Sequence, residues 1–200
     1  EIETFNSDNS INVVVEIPAG SNEKWEISKI DGSLRWEKKN NSYRVIKYIP
    51  YVANYGFIPQ TIALDDDPLD VLVFNHDPID RGSLVSCRVL GVLGFIDGGE
   101  VDNKLLAVPS WSPIEKYNTV HDIESEHLKI YRQFFKIYKI DRNSDTKVGD
   151  WKSRKAALQI VEDSYNRWKE ANKERFQQEW SDKTFWRKVR NSRHVLPDWV

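Results

Sequence analysis

The sequence predicts a mainly β protein of the α+β kind, an antiparallel barrel flanked by two amphipathic helices. Three observations lead there. Short runs rich in β-branched and aromatic residues recur through the first half of the chain, separated by Asp, Asn, Gly and Pro. These runs are not spaced by the helical patterns that parallel βαβ units require. After about residue 121 the hydrophobic spacing changes from a period of two to one near 3.6.

The elements follow in order. Residues 1–10 are polar and are expected to lie loosely. Ile11–Ile17 (INVVVEI) reads as a strand that stops at Pro18-Ala19-Gly20. Lys24–Ile27 and Tyr43–Tyr48 alternate polar and apolar residues, as half-buried strands do, and Asp31-Gly32 before Leu34-Arg35-Trp36 suits a hairpin turn. Further strands are expected at Leu69–Phe74, Leu84–Phe95 and Lys104–Val108. Leu128, Tyr131, Phe135 and Tyr138 then fall on one helical face, and Ala157, Ile160, Val161, Ser164 and Trp168 on another, in a segment beginning near Trp151.

Composition bounds the function. The chain has 200 residues, 29 Lys+Arg against 31 Asp+Glu and a formal net charge of −2; 40% of residues are hydrophobic. That excludes collagen, acidic disordered tails and supercharged nucleic-acid binders. No apolar run reaches the roughly 20 residues of a membrane helix. Cys87 is the sole cysteine, so neither an intrachain disulfide nor a cysteine-rich zinc site is possible. No methionine occurs, so the sequence is expected to be a processed or trimmed form. The cytoplasm is the default compartment, with an organelle lumen as the alternative if a leader has been removed.

The most informative stretch is Asp65-Asp66-Asp67-Pro68-Leu69-Asp70, where carboxylates crowd a proline-constrained turn at the start of an apolar strand. Carboxylates this close repel unless they share a cation, and oxygen-only donors suit a hard ion such as Mg²⁺ or Mn²⁺. A solvated acidic turn explains the same residues taken alone. An EF-hand does not: counting from Asp65, Leu69 would occupy a ligand place and His76 would replace the closing Glu. A second acidic group, Asp97-Gly98-Gly99-Glu100-Val101-Asp102-Asn103-Lys104, separates two strands and reads alone as a polar hairpin loop. Lys24 with Glu26, Tyr51 with Tyr55, and Tyr138-Lys139 each have ordinary structural explanations too.

Taken together and in order, these blocks resemble the soluble inorganic pyrophosphatases of family I, over roughly residues 11–170 and with most likeness to eukaryotic-type members. Asp65-x-Asp67-Pro68-x-Asp70-Val71-Leu72 matches the family signature DxDPxDVL. Glu16-Ile17-Pro18, Lys24-Trp25-Glu26-Ile27, Asn54-Tyr55-Gly56-Phe57-Ile58-Pro59, Asp97…Asp102-x-Lys104 and Phe135-x-Ile137-Tyr138-Lys139 match its other blocks.

The resemblance implies an OB-like five-stranded antiparallel barrel and Mg²⁺-dependent hydrolysis of pyrophosphate to two phosphates. Mn²⁺ or Zn²⁺ would substitute and Ca²⁺ would inhibit. By position it implies Asp65, Asp70 and Asp102 at a first metal and Asp70 at a second. Asp97 and Asp102 would serve a metal carried by the substrate, and Glu16 a more distant one. Asp67 corresponds to the general base. Lys24, Arg44, Tyr55, Lys104, Tyr138 and Lys139 correspond to phosphate ligands, with Arg35 the fallback for Arg44, and Glu26 and Tyr51 line the site. Asp66 stands where many members have Gly or Asn, and Gly98 where many have Glu.

Residues 1–175 are expected to form the barrel domain with its packed helices, and 176–200 a C-terminal extension at a subunit contact in a homo-oligomer, a dimer being favoured. Neither nucleic acid nor membrane is an expected partner, although the extension mixes Trp with Lys and Arg. A rival of another class is an anion- or oligonucleotide-binding barrel without catalysis. Five costly carboxylates around one site count against it. Short-chain polyphosphate is an open side substrate.

Overall fold

The structure, a computed structural model, describes residues 2–28, 31–112, 116–140 and 145–173. The expected extension from 176 onward, and the end of the expected 1–175 domain, lie outside the described residues. Eleven strands are described: β1 (Ile11–Ile17), β2 (Trp25–Ile27), β3 (Leu34–Trp36), β4 (Lys38–Lys39), β5 (Ser42–Tyr43), β6 (Asn54–Phe57), β7 (Asp70–Val73), β8 (Leu84–Asp97), β9 (Glu100–Val101), β10 (Lys104–Pro109) and β11 (Thr146–Lys152). The helices α1 (Ser125–Ile137) and α2 (Arg154–Ala171) complete the fold.

Five strands close into a ring in the order β1-β6-β7-β10-β8, and β8 returns to pair with β1. This is the OB-like barrel the resemblance implied, with one refinement. Four seams are antiparallel, whereas β7 and β10 run parallel. An odd ring cannot alternate direction all the way round, so a five-stranded barrel requires at least one parallel seam. Here that seam sets Asp70 beside Lys104. Its two strands start at the same mouth of the barrel, and β8, antiparallel to β10, ends there.

Both faces of the ring strands are buried, which is why β1 and β10 read as nearly continuous apolar runs. One face, with Leu72, Phe74, Leu106 and Val108, packs against Tyr131, Phe134 and Phe135 of α1. The other, with Val71, Val73, Leu105 and Ala107, packs against Ala157 and Val161 of α2.

Several boundaries depart from expectation for local reasons. The strand expected at Tyr43–Tyr48 ends after Tyr43: beyond it the backbone bonds go to the 22–24 segment, Lys24 N–H to Arg44 and Ile46 N–H to Asn22, and the chain turns at Tyr48 (φ 71°). A single bridge, Glu23 to Val45, is what remains of it. The helical segment expected to begin near Trp151 is still strand there, because Thr146–Lys152 forms β11 against β8. The helix α2 starts only at Arg154, where the Ser153 hydroxyl accepts the Ala156 N–H at 3.3 Å.

β6 was not expected as a strand because Asn54 and Gly56 are poor strand formers. Glycine is required there: a Cβ at position 56 would lie 2.0 Å from the Val14 carbonyl oxygen of the neighbouring strand. Gly56→Ala must therefore push β1 and β6 apart. A loss of roughly 2–4 kcal/mol is expected, seen as a melting-temperature drop of roughly 5–15 °C. An unchanged melting curve would show that the seam yields freely.

Candidate active site

The Asp-rich loop takes its shape from hydrogen bonds that the sequence supplies locally. The Thr61 hydroxyl accepts the Leu69 N–H at 2.9 Å, and Ala63 N–H donates to the Asp67 carbonyl at 2.7 Å. The Asp65 carboxylate accepts the Asp67 N–H at 3.2 Å. Helix α2 anchors the loop's approach, since Arg167 Nε donates to the Ile62 carbonyl at 2.8 Å and Ile62 N–H to the Ser164 carbonyl at 3.0 Å. Asp66 sits at φ 61°, in the left-handed region that Asp tolerates better than most residues.

At the mouth, Asp70 opens β7 and Lys104 opens β10, so the parallel seam places them side by side. The Lys104 ammonium, only 2% exposed, hydrogen bonds to both Asp70 and Asp102. Lys139, just beyond α1, pairs with Asp97 at the end of β8. The Tyr55 ring lies 5.7 Å from the Lys24 ammonium and 5.9 Å from that of Lys104. A cavity of about 230 Å³ is lined by Asp65, Asp67, Asp70, Asp97, Asp102, Lys24, Glu26, Arg44, Tyr51, Tyr55, Lys104, Tyr138 and Lys139. Every site position expected from the sequence is therefore present here except Glu16.

Glu16 lies in an adjoining cavity of about 540 Å³, which shares Lys24, Glu26, Asp67 and Asp70 with the first. Its carboxylate is 3% exposed and accepts the Ile27 N–H at 2.7 Å. Arg35, the fallback for Arg44, also lines this second cavity and pairs with Asp31. Arg44 reaches the first cavity while pairing with Glu37. Glu100, on β9, lines the first cavity and was not assigned from the sequence. The hint was present, since Glu100 stands between Asp97 and Asp102 in the sequence.

Burial sets the electrostatics. It pushes the Glu16 carboxyl up to about 8, against the pull of Lys24. Asp102 is likewise raised, by burial and by the charge of Asp70, which together outweigh Lys104. Asp70 is buried too, but Lys104, Lys24 and a hydrogen bond from Tyr55 hold it below the usual range. Burial raises both Tyr55 and Tyr138, so their hydroxyls stay protonated and available as donors. Burial lowers Lys139 despite its pairing with Asp97.

The carboxylates are drawn toward lysines, and among the described residues no three His, Cys, Asp or Glu side chains converge tightly enough to cage an ion by themselves. The donor chemistry nonetheless fits a hard divalent cation. The acids are all oxygen donors, and two of them, Glu16 and Asp102, are buried with too little positive charge beside them to keep their pKa values low.

A closed barrel bearing carboxylates, lysines and tyrosines in one mouth cavity places the chain in the class of OB-like barrel proteins with a charged site at the mouth. The chain belongs to the inorganic pyrophosphatase family: the family model of that description matches residues 13–169. The inorganic pyrophosphatase of Campylobacter jejuni is 41% identical over 165 residues, covering 80% of this chain and 93% of that protein. The structure of an inorganic pyrophosphatase from Coxiella burnetii superposes with a TM-score of 0.76 at 35% identity, over 84% of this chain and 99% of that one. That of Schistosoma japonicum gives 0.80 at 30% identity, over 86% of this chain and 70% of that one. The expected eukaryotic-type affiliation gains no support here, because bacterial relatives are matched over almost their whole length.

Proposed function

We propose that this chain hydrolyses inorganic pyrophosphate to two phosphates with the help of Mg²⁺. The observation that carries the reading is one cavity of about 230 Å³ whose walls carry both acids and cations. A diphosphate alone would be repelled by the Asp cluster, and divalent cations held there remove that repulsion. The two together satisfy both sets.

Asp65, Asp70 and Asp102 would hold the first metal, with Asp70 also serving a second. Asp97 and Asp102 would meet a substrate-borne metal, and Glu16 a more distant one. When bound, Mg²⁺ supplies Lewis-acid charge that offsets the carboxylates and eases deprotonation of a water. Asp67 accepts the proton of the attacking water. Lys24, Arg44, Lys104 and Lys139 offset charge on the phosphoryl oxygens, and the Tyr55 and Tyr138 hydroxyls donate hydrogen bonds to them. Glu26 and Tyr51 shape the wall. Mn²⁺ or Zn²⁺ would substitute, whereas Ca²⁺, larger and more loosely coordinated, would inhibit.

The test is phosphate release from pyrophosphate with Mg²⁺, with excess chelator and with Ca²⁺. Hydrolysis should require Mg²⁺, stop on chelation and fall with Ca²⁺. Full activity in excess chelator, or none with Mg²⁺, defeats the reading. Mg²⁺ at 100 times its Kd should also stabilise the fold by about 2.7 kcal/mol, because the native cluster alone assembles the ligands.

The barrel domain through about residue 175 holds every position assigned above, so removal of the extension from 176 onward should leave turnover nearly intact while changing association. Loss of activity in a folded, normally associated truncation would assign the extension a catalytic part. The same reading has the protein working in the cytoplasm as a homo-oligomer, most simply a dimer. Among the described residues no helix is long and apolar enough to cross a membrane.

A further inference from the structure

Arg81 lies in the connection between β7 and β8 and lines neither cavity. Its guanidinium nevertheless joins two parts of the site. Nε donates to the Glu16 carbonyl of β1 at 3.0 Å, and Nη2 donates to the Glu23 carboxylate at 2.9 Å. Cζ lies 4.1 Å from the centroid of the Trp25 ring. The same Glu23 oxygen accepts the Trp25 indole N–H at 2.9 Å, so Arg81, Glu23 and Trp25 form a closed set of contacts anchored on a barrel strand.

That anchoring matters because β2 pairs only with β3 and stands outside the ring. Side chains alternate faces along an extended segment, so Lys24 and Glu26 face the cavity while Trp25 faces away from it. Arg81 grips the segment from this outer side. The Ile27 N–H also donates to the Glu16 carboxylate, on the residue whose carbonyl Arg81 holds, while the Lys24 backbone bonds to Arg44 and Glu37 of the neighbouring loop rather than to the ring. Arginine suits the task because one planar group serves two acceptors and an aromatic face at once, which lysine cannot do.

We propose that Arg81 is a positioning residue that clamps β2 to the barrel and so fixes the Lys24 ammonium at the phosphate-binding wall. The proposal rests on the reading of the cavity as the pyrophosphate site. Its test is a double-mutant cycle of Arg81→Ala with Lys24→Ala, measuring kcat and KM for magnesium pyrophosphate at 25 °C with thermal melts alongside. In the parent background Arg81→Ala should raise KM about tenfold with a much smaller change in kcat. In the Lys24→Ala background it should raise KM less than about twofold, because residues acting through one another are not additive.

Arg81→Lys keeps the charge toward Glu23 but loses the planar stack, and should lie between. It also carries the cycle if Arg81→Ala fails to fold. Additive effects, or an unchanged KM in Arg81→Ala, overturn the clamp while an active parent leaves the pyrophosphate reading standing. A parent that does not hydrolyse pyrophosphate removes both.

Discussion

Asp67→Asn is expected to lower turnover by about 10²–10⁴-fold, the usual cost of losing a general base. The substitution keeps the side chain's shape, so metal affinity should change little. The remaining activity should move toward alkaline pH, where hydroxide forms without assistance. Asp70→Asn should behave differently. Asp70 is held ionised by Lys104, Lys24 and Tyr55, and if it is the ligand shared by two metals that we propose, its loss should weaken metal binding and rate together. A Mg²⁺ titration of both variants beside the parent separates the roles. High Mg²⁺ should restore part of the Asp70→Asn activity and none of the Asp67→Asn activity. The reverse pattern would move Asp67 into the metal shell.

Lys104→Met should have the largest effect on stability. The ammonium is buried between Asp70 and Asp102, and its removal leaves two carboxylates without their charge partner. Breaking such a pair by deleting one side costs about 3–5 kcal/mol, or roughly 6–20 °C in melting temperature for a chain of this size. The sign of the pH dependence follows from Asp102, already raised in the parent. Without Lys104 its folded pKa rises further above the unfolded value, so protonation favours the folded variant. The gap between variant and parent, measured in chelator, should therefore be widest at neutral and alkaline pH and narrow as pH falls. A gap that widens on acidification would mean that Lys104 does not hold these acids in their charged forms.

The sequence carried the site more completely than the fold. Asp65, Asp67 and Asp70 read alone equally well as a solvated acidic turn, and it is their order among the neighbouring blocks that singles them out. β1 was legible to the residue because a doubly buried strand is nearly continuously apolar, Asn12 and Glu16 being its two polar positions. β6 was not, since Asn54 and Gly56 serve needs that propensity ignores. The Asn54 carboxamide oxygen accepts the Ala19 and Ile79 N–H groups at 3.0 and 2.7 Å, tying together two distant loops. β11 stayed hidden because Thr146–Lys152 is polar, partly exposed and adds to the outer side of the ring. Glu16 was identified, but its separation into the adjoining cavity depends on β2 folding over β1, and no local pattern encodes that. Arg81 lay outside every block because its partners are brought together only in three dimensions.

The parallel seam also dictates when the protein becomes competent during folding. Asp70 and Lys104 are 34 residues apart in the chain, and Asp97 and Lys139 are 42 apart. No hairpin or single helix contains a working fragment of the site. Contacts of such long range form late and slowly, because each closes a large loop before it is rewarded. A ribosome-bound chain would remain inert until Lys139 had emerged and β8 had met β1. In refolding, recovery of catalysis should then coincide with ring closure, making enzymatic turnover a reporter of the last topological step.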